Sequence, residues 1–255
     1  MIGVLDSGVG GFSVLREIHA HLPNQDITYI GDNAWCPYGN KSYPEIRERT
    51  FALSDFLIEQ GAEVIVIACN SATIVAIEAL RSHYLLPFIG MEPGVKPAAA
   101  LTKTGTIGVL ATEASLRGDK FHHLVARHAQ NIRVITQPCP KFVELVEHGI
   151  LKGPEVDAAI DEYTANMLAA DADVLILGCT HYPFLRPALE TRLPAHIRFI
   201  DTGDAIARRT EQHSLTPSDK PSIKILTTGI PERIASLLQT LTPKIEATCT
   251  PLFLP

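Results

Sequence analysis

The feature that most constrains this 255-residue chain is the alternation of short aliphatic runs with longer stretches of helical periodicity. Short and mostly uninterrupted aliphatic runs predict strands at residues 2–5, 27–30, 64–68, 107–110, 132–135, 174–177, 197–200 and 223–226. Between them, apolar residues three and four positions apart predict helices, for example over residues 13–21, 44–60, 71–83, 157–169 and 205–212. Alternating strands and helices indicate an α/β fold whose largely parallel sheet is buried on both faces.

The two halves of the chain resemble each other. The segments EVIVIACNSAT, residues 63–73, and DVLILGCTHYP, residues 173–183, share an acid, an aliphatic strand and a cysteine at its end. These cysteines are 110 positions apart, and IGVLDSG from Ile2 matches IGVLATE from Ile107 at an offset of 105. Aliphatic strands that end in glycine or cysteine are common in α/β proteins, but two matches at similar offsets favour a duplicated unit.

The duplication predicts two similar domains related by a pseudo-twofold axis, each a mostly parallel sheet flanked by helices, with the active site in the cleft between them. EPGVKP at residues 92–97 interrupts the helical periodicity, and the second unit has supplied its strands by residues 201–204. We therefore assign residues 1–95 plus 208–255 to the first domain and residues 96–207 to the second.

Composition excludes several classes of partner. Lys and Arg number 22 against 28 Asp and Glu, for a net charge of −6, and no stretch forms a basic face that would bind nucleic acid. No segment approaches the roughly 18 consecutive apolar residues of a membrane span. The N-terminus, MIGVLDSGVGG, lacks the features of a secretory signal, so we expect a cytoplasmic protein.

The five cysteines include no CxxC pair, so neither a disulfide framework nor a zinc ribbon is expected. Cys69 and Cys179 each end a predicted strand and precede a helix, which is where parallel sheets bind ligands. Asn70-Ser71 and Thr180-His181 follow them and can donate hydrogen bonds to a carboxylate. The helix N-terminus also favours the thiolate. The pattern therefore predicts an anion site with two thiols that can act as bases.

Other interpretations of these cysteines are a pair of small buried hydrophobes, or a metal site made by Cys69, Cys179 and His181. Equivalent positions in a repeat argue against the first. The second lacks the local ligand pairs that zinc sites usually show, and we expect no metal.

Two further turns end strands that should point at the same cleft. The turn DSGVGG, residues 6–11, fails as a dinucleotide fingerprint because Ser13 stands where the third glycine belongs. A glycine-rich turn can be purely structural, but the Asp6 carboxylate can orient a thiol or an ammonium group. After the second strand, Asp32-Asn33 and Pro37-Tyr38-Gly39 supply a hydroxyl and an N–H group for a polar pocket.

Six motifs in order along the chain resemble the glutamate racemase family: DSGVGG (6–11), PYGNKS (37–42), ACNSAT (68–73), EPGVKPAA (92–99), GVLAT (108–112) and GCTHYPFL (178–185). The resemblance implies a cofactor-independent enzyme that interconverts L- and D-glutamate and supplies D-glutamate for bacterial peptidoglycan. It also implies a homodimer.

By this resemblance Cys69 and Cys179 lie on opposite faces of the substrate α-carbon, Cys69 acting on D-glutamate and Cys179 on L-glutamate. Asp6 beside the first cysteine, His181 beside the second, and Glu147 in the LVEHG stretch are the expected auxiliary acids and bases. The implied substrate-binding residues are Asp6, Ser7, Pro37, Tyr38, Gly39, Asn70, Ser71, Thr180 and His181, with Thr112 and Ser115 as second-rank candidates.

The chain departs from the family in places. Ser115 stands where the family usually has threonine, and we assign no site role beyond it. Cys36 before PYG is unusual, and we expect it near the cleft. The chain begins at the first predicted strand, so we expect no activation by the cell-wall precursor UDP-MurNAc-L-Ala, which acts on members with an N-terminal extension.

Three alternatives stay open. The chain could be a two-cysteine enzyme of the same superfamily that acts on aspartate or a hydantoin. It could be a carboxylate-binding protein without catalysis, which would leave the α-proton of glutamate unexchanged. A cysteine hydrolase using Cys179 and His181 is disfavoured, because residues two apart on a turn rarely meet in the required geometry.

Overall fold

The computed structural model describes residues 1–213 and 215–253. Its strands are β1 Ile2–Asp6, β2 Ile27–Gly31, β3 Val64–Ile67, β4 Phe88–Gly90, β5 Thr106–Ala111, β6 Arg133–Pro138, β7 Val174–Gly178, β8 Arg198–Ile200, β9 Ile223–Thr227 and β10 Thr248–Pro251. Its α-helices are α1 Phe12–His21, α2 Tyr43–Glu59, α3 Asn70–His83, α4 Val95–Leu101, α5 Glu113–Arg117, α6 Asp119–His128, α7 Pro140–Glu147, α8 Pro154–Ala169, α9 Arg186–Arg192, α10 Gly203–Glu211 and α11 Pro231–Leu241.

The strands form two sheets, and every pairing is parallel. The first has the order β10-β9-β2-β1-β3-β4 and the second the order β6-β5-β7-β8. Four neighbouring strands of the first sheet, β2-β1-β3-β4, thus repeat the order of the second. The repeat pairs β1 with β5 and β3 with β7, the same strands that match in sequence, and the predicted α/β duplication is confirmed.

Each predicted strand is present, and β4 and β10 are additional. Both additions lie at the edges of the first sheet, where β4 has only three residues and β10, with the sequence TCTP, is largely exposed. Short or polar edge strands carry little hydrophobic signal. The central strands β1, β3 and β7 are buried at every residue, which explains their uninterrupted aliphatic sequences.

The chain supplies both sheets in three passes. Residues 2–90 build the first sheet, residues 106–200 build the second, and β9 and β10 return beside β2. Helix α10 crosses the predicted boundary at 207/208 and packs against α1 of the first unit. The boundaries at 95/96 and 207/208 stay predictions, and the packing of α10 favours moving the second one to about residue 202. None of the helices in the described part of the chain is long and apolar enough to cross a membrane.

Candidate active site

Cys69 caps the N-terminus of α3, directly after β3. Its Sγ accepts a hydrogen bond from the Ala72 N–H at 3.5 Å, and its thiol donates to Ser7 Oγ at 3.7 Å. Burial, followed by the charge of Asp6, raises the pKa of Cys69 to about 12, although the Ala72 and Ser7 hydrogen bonds lower it. The expectation that the helix N-terminus would hold a thiolate is therefore wrong for Cys69, because desolvation outweighs one N–H donor.

Cys179 follows β7 at the equivalent place in the second sheet. Its Sγ lies 3.6 Å from His181 Nδ1, so these two residues do meet although they lie two apart on one turn, contrary to the expectation from the sequence. His181 Nε2 lies 2.8 Å from Glu147 Oε1. Glu147 is the last residue of α7, and its Oε1 also accepts the Val9 N–H of the first domain at 2.8 Å. A thiol, an imidazole and a carboxylate thus form a hydrogen-bonded chain. Cys179 and His181 line a small cavity between the sheets, and Glu147 lies outside that lining.

The His181–Glu147 pair is charged. Burial by itself lowers the pKa of His181, but hydrogen bonds with Cys179, Cys36 and Glu147 raise it well above the usual value. Burial raises the pKa of Glu147, and the hydrogen bond from His181 and its positive charge hold it below the usual range. A protonated imidazole has N–H groups on both nitrogens. One can therefore donate to Glu147 while the other faces the sulfur of Cys179.

Asp6, the last residue of β1, is fully buried and bridges the two halves of the site. Its Oδ1 accepts the Gly8 N–H at 2.8 Å, and its Oδ2 accepts the Thr180 hydroxyl at 3.0 Å. Burial raises its pKa, although the charge of His181 and these bonds oppose that rise. Asp6 was expected beside Cys69. The structure places Ser7 between them, with Ser7 Oγ 3.5 Å from Asp6 Oδ1.

The two cysteines line one small cavity between the sheets. Its lining is Ser7, Pro37, Tyr38, Gly39, Cys69, Asn70, Ser71, Thr112, Val143, Cys179, Thr180 and His181. All but Val143 are among the predicted site residues. The free volume of about 10 Å³ is room for roughly one water molecule. A larger ligand therefore requires the two halves to move apart or side chains to shift.

Three predicted residues, Asp6, Glu147 and Ser115, lie outside the lining. Asp6 and Glu147 stand behind Thr180 and His181, as described above. Ser115 accepts a hydrogen bond at 2.8 Å from the Thr112 hydroxyl, which lies 2.9 Å from Ser71 Oγ. Ser115 thus reaches the cavity only through Thr112, which also caps α5.

Tyr38 lines the cavity, but its hydroxyl donates to Asp32 Oδ2 at 2.6 Å. Asp32 is fully buried and accepts two hydrogen bonds from Arg49, at 2.7 and 3.0 Å, and one from the Thr228 hydroxyl at 2.8 Å. The sequence indicated a Tyr38 hydroxyl in a polar pocket; in the structure this hydroxyl donates its hydrogen bond to the buried Asp32 carboxylate. No local sequence pattern indicated that Arg49 binds Asp32, because Arg49 lies inside a regular helix, α2.

The sequence motifs did not include one lining residue, Val143, and did not show which atom of Asn70 lacks a partner. Val143 lies one helical turn before Glu147, so the predicted role of Glu147 could have pointed to it. Among the described residues, the buried Asn70 Oδ1 has no hydrogen-bond partner. A buried acceptor of this kind is costly unless a ligand or water satisfies it.

The fold and the site together define a class. Two parallel-sheet units, each with a thiol after an equivalent strand, enclose one cavity with an acid–base group behind each thiol. Such an arrangement is that of a two-domain α/β enzyme whose site presents two thiols to one cavity.

Comparison with known proteins supplies the family. A family profile described as Asp/Glu/Hydantoin racemase matches residues 2–210. A glutamate racemase of Herpetosiphon aurantiacus is 44% identical over 246 residues, which cover 94% of this chain and 97% of that protein. The chain belongs to the Asp/Glu/Hydantoin racemase family and is an amino-acid racemase.

Solved structures of glutamate racemases have the same fold as this chain. A glutamate racemase isoform from Bacillus anthracis superposes with a TM-score of 0.90 at 31% identity, covering 100% of this chain and 98% of that one. Escherichia coli glutamate racemase, solved with L-glutamate and the activator UDP-MurNAc-Ala, gives a TM-score of 0.85 at 34% identity, covering 93% of each chain. The resemblance found in the six sequence motifs is confirmed.

Proposed function

We propose that the protein interconverts L-glutamate and D-glutamate, with Cys69 and Cys179 as the two proton-transferring groups. The observation that carries the proposal is the shared cavity, which receives one thiol from each half of a duplicated fold. The names of the relatives supply the substrate, since the protein from Herpetosiphon aurantiacus is a glutamate racemase.

Inversion requires two groups on opposite faces, because a single base would return the proton to the face it came from. In the L-to-D direction, the Cys179 thiolate takes the α-proton and the Cys69 thiol gives its proton to the other face. When D-glutamate has formed, Cys179 is a thiol and Cys69 is a thiolate, and the D-to-L direction reverses both transfers. The pKa of about 12 for Cys69 fits a group that waits as the proton donor for L-glutamate.

The groups behind the thiols assist these transfers. His181 faces the sulfur of Cys179 and can stabilise its thiolate through an N–H group, while Glu147 keeps the ring oriented. Asp6 acts on Cys69 through Ser7 and positions Thr180. Removing an α-proton creates carbanionic charge, which oriented donors in a dry site must stabilise when no electron sink is present.

The polar lining fits an amino-acid dicarboxylate. The unpartnered Asn70 Oδ1 can accept a hydrogen bond from the α-ammonium group. The N–H groups at the start of α3 can donate to a carboxylate, and the hydroxyl groups of Ser71, Thr112 and Thr180 can do so once they turn away from their present partners. Because the cavity holds only about one water, glutamate binds when the two units separate, and reclosing then removes solvent from the α-carbon.

The wider role belongs to the same proposal. The protein supplies D-glutamate for bacterial peptidoglycan, works in the cytoplasm and forms a homodimer. The bacterial sources of its relatives support the first point. Sedimentation of the purified chain at several concentrations tests the dimer.

Proton NMR in heavy water tests the reaction. L-glutamate and D-glutamate are incubated separately with the wild-type protein and with Cys69→Ser, Cys179→Ser and Cys249→Ser. Cys249 lies in β10 away from the cavity and is the matched control. We expect deuterium to enter at the α-carbon with inversion for the wild type and the control, and inversion to be lost in the other two.

Other outcomes separate the alternatives. Absence of exchange from either enantiomer, in a protein that still binds glutamate, would leave a carboxylate-binding protein. Inversion of aspartate without inversion of glutamate would keep the family and replace the substrate. Full inversion by either active-site cysteine variant would refute the two-thiol mechanism.

A further inference from the structure

A second group of potential ligands lies behind the substrate cavity. The Cys36 sulfur, a Glu147 carboxylate oxygen and a His181 ring nitrogen all lie within 4.8 Å of one another. Cys36 Sγ is 3.5 Å from Glu147 Oε1, and that oxygen is 2.8 Å from His181 Nε2. Thiolate, carboxylate and imidazole are the three ligand types that zinc prefers in proteins.

One of the three separations already fits a tetrahedral ion, a second needs a small change, and the third, between Cys36 and His181, is below 4.8 Å. Zinc bonds of about 2.0–2.3 Å place neighbouring tetrahedral ligands roughly 3.4–3.6 Å apart. The Cys36–Glu147 separation already has this value. The Glu147–His181 separation must lengthen by about half an ångström, which the loss of their mutual hydrogen bond allows.

Gly8 lets two of the three ligands pack closely against the first sheet. A side chain there would collide with Glu147, and its Cβ would lie 2.9 Å from Cys36 Sγ. The absence of a Cβ therefore allows Glu147 and Cys36 to meet at the end of β1.

The cluster has its own access to solvent. Cys36 and Glu147 line a cavity of about 300 Å³ between α7 and α11, together with Asn33, Arg233 and Ile234. The two cysteines that face the substrate cavity do not line this rear cavity. An ion can thus reach Glu147 and Cys36 while the substrate cavity stays closed, and solvent in the rear cavity can supply the fourth ligand.

We propose that this cluster binds a thiophilic divalent cation such as Zn²⁺, through Cys36, Glu147 and His181, and that binding inhibits the enzyme. The ion replaces the Nε2 proton of His181 and breaks the hydrogen bond to Glu147, so the ring loses the contact that orients it beside Cys179 and can no longer form the imidazolium. Binding releases the thiol proton of Cys36 and the Nε2 proton of His181 to solvent. The inhibitory effect rests on the proposed racemase function, whereas the binding itself does not.

Direct binding is measured with Co²⁺ as a spectroscopic probe of the same ligands. Titration of the full chain with Co²⁺ should produce a thiolate-to-cobalt absorption band that saturates at one ion per chain and is displaced by Zn²⁺. We expect Cys36→Ser to lose the band and weaken binding by at least about 10-fold, the scale on which metal sites respond to altered ligation. Cys249→Ser should keep both the band and the affinity.

Inhibition is measured with glutamate as substrate. Zn²⁺ should lower kcat of the wild type without competing with glutamate, and Cys36→Ser should be active but at least about 10-fold less sensitive. The serine hydroxyl still donates to Glu147, so this variant keeps the His181–Glu147 pair intact. Glutamate that fully protects against Zn²⁺ would place the ion in the substrate cavity, and equal sensitivity of the two proteins would exclude Cys36 as a ligand. Either result would overturn the proposal.

The two proposals fail in different ways. A chain that inverts no glutamate but shows the Cys36-dependent cobalt band keeps the metal site and loses the proposed function. A chain that inverts glutamate but gives the same cobalt spectrum with and without Cys36 keeps the function and loses the metal site.

Discussion

Replacing Glu147 by glutamine tests the acid–base chain behind Cys179. Glu147→Gln removes the negative charge but keeps an oxygen that can accept the Val9 N–H, which now donates at 2.8 Å. It removes the charge-assisted bond that His181 Nε2 makes at 2.8 Å. Hydrogen bonds to charged groups contribute about 1.5–3 kcal/mol. At about 1.4 kcal/mol per tenfold change in rate, kcat/KM should fall about 10- to 150-fold.

Initial rates of both reactions, followed by circular dichroism, measure the effect. Enantiomers have equal free energies, so kcat/KM must fall by the same factor in the two directions, which checks the data internally. The limb of the pH–rate profile that reports His181 should also move to lower pH, because the carboxylate that raises its pKa is gone. Glu144→Gln, an exposed change one turn earlier on α7, is the control.

The reasoning would be refuted by a Glu147→Gln protein with wild-type kcat/KM and an unmoved pH profile. Such a result would mean that His181 needs no carboxylate partner to serve Cys179. Equal losses in Glu147→Gln and Glu144→Gln would instead show that disturbance of α7, rather than loss of the charge-assisted bond, lowers the rate.

Three further predictions concern the frame of the site. Arg49→Met leaves the Asp32 carboxylate buried with only neutral donors. The free energy of unfolding measured in urea should therefore fall by about 3 kcal/mol, the low end for a broken buried ion pair. The exposed change Arg47→Met is the control and should lower the free energy of unfolding far less. Gly10→Ala should lower kcat/KM at least about tenfold, because its Cβ would lie 2.5 Å from Thr180 Oγ1 and collide with His181; a wild-type rate would contradict this packing. His181 has a raised folded-state pKa, so its stabilising contribution is full below about pH 6.5 and is lost as pH rises through that pKa. The free energy of unfolding of the wild type should therefore fall as the pH rises from about 6.5 through the folded-state pKa of His181, and that of His181→Asn should fall less over the same range.

The order of elements could be predicted because its signals are local. Aliphatic runs such as 64–68 and 174–177 are buried on both faces of a parallel sheet, so each strand is visible in its own few residues. The same holds for Cys69 and Cys179, which follow two of these strands directly. Strands β4 and β10 gave no such signal, because a short or exposed edge strand is not required to be hydrophobic.

The sequence by itself determined the duplicated α/β fold, the family and all of the lining of the shared cavity except Val143, since each depends on motifs read within a few residues. Only the tertiary structure decided the partners of those motifs. It joined Glu147 to His181 and Val9, gave the Tyr38 hydroxyl to Asp32 and Arg49, and raised rather than lowered the pKa of Cys69. These properties depend on burial and on contacts between residues far apart in the chain, which arise only when the two sheets pack together.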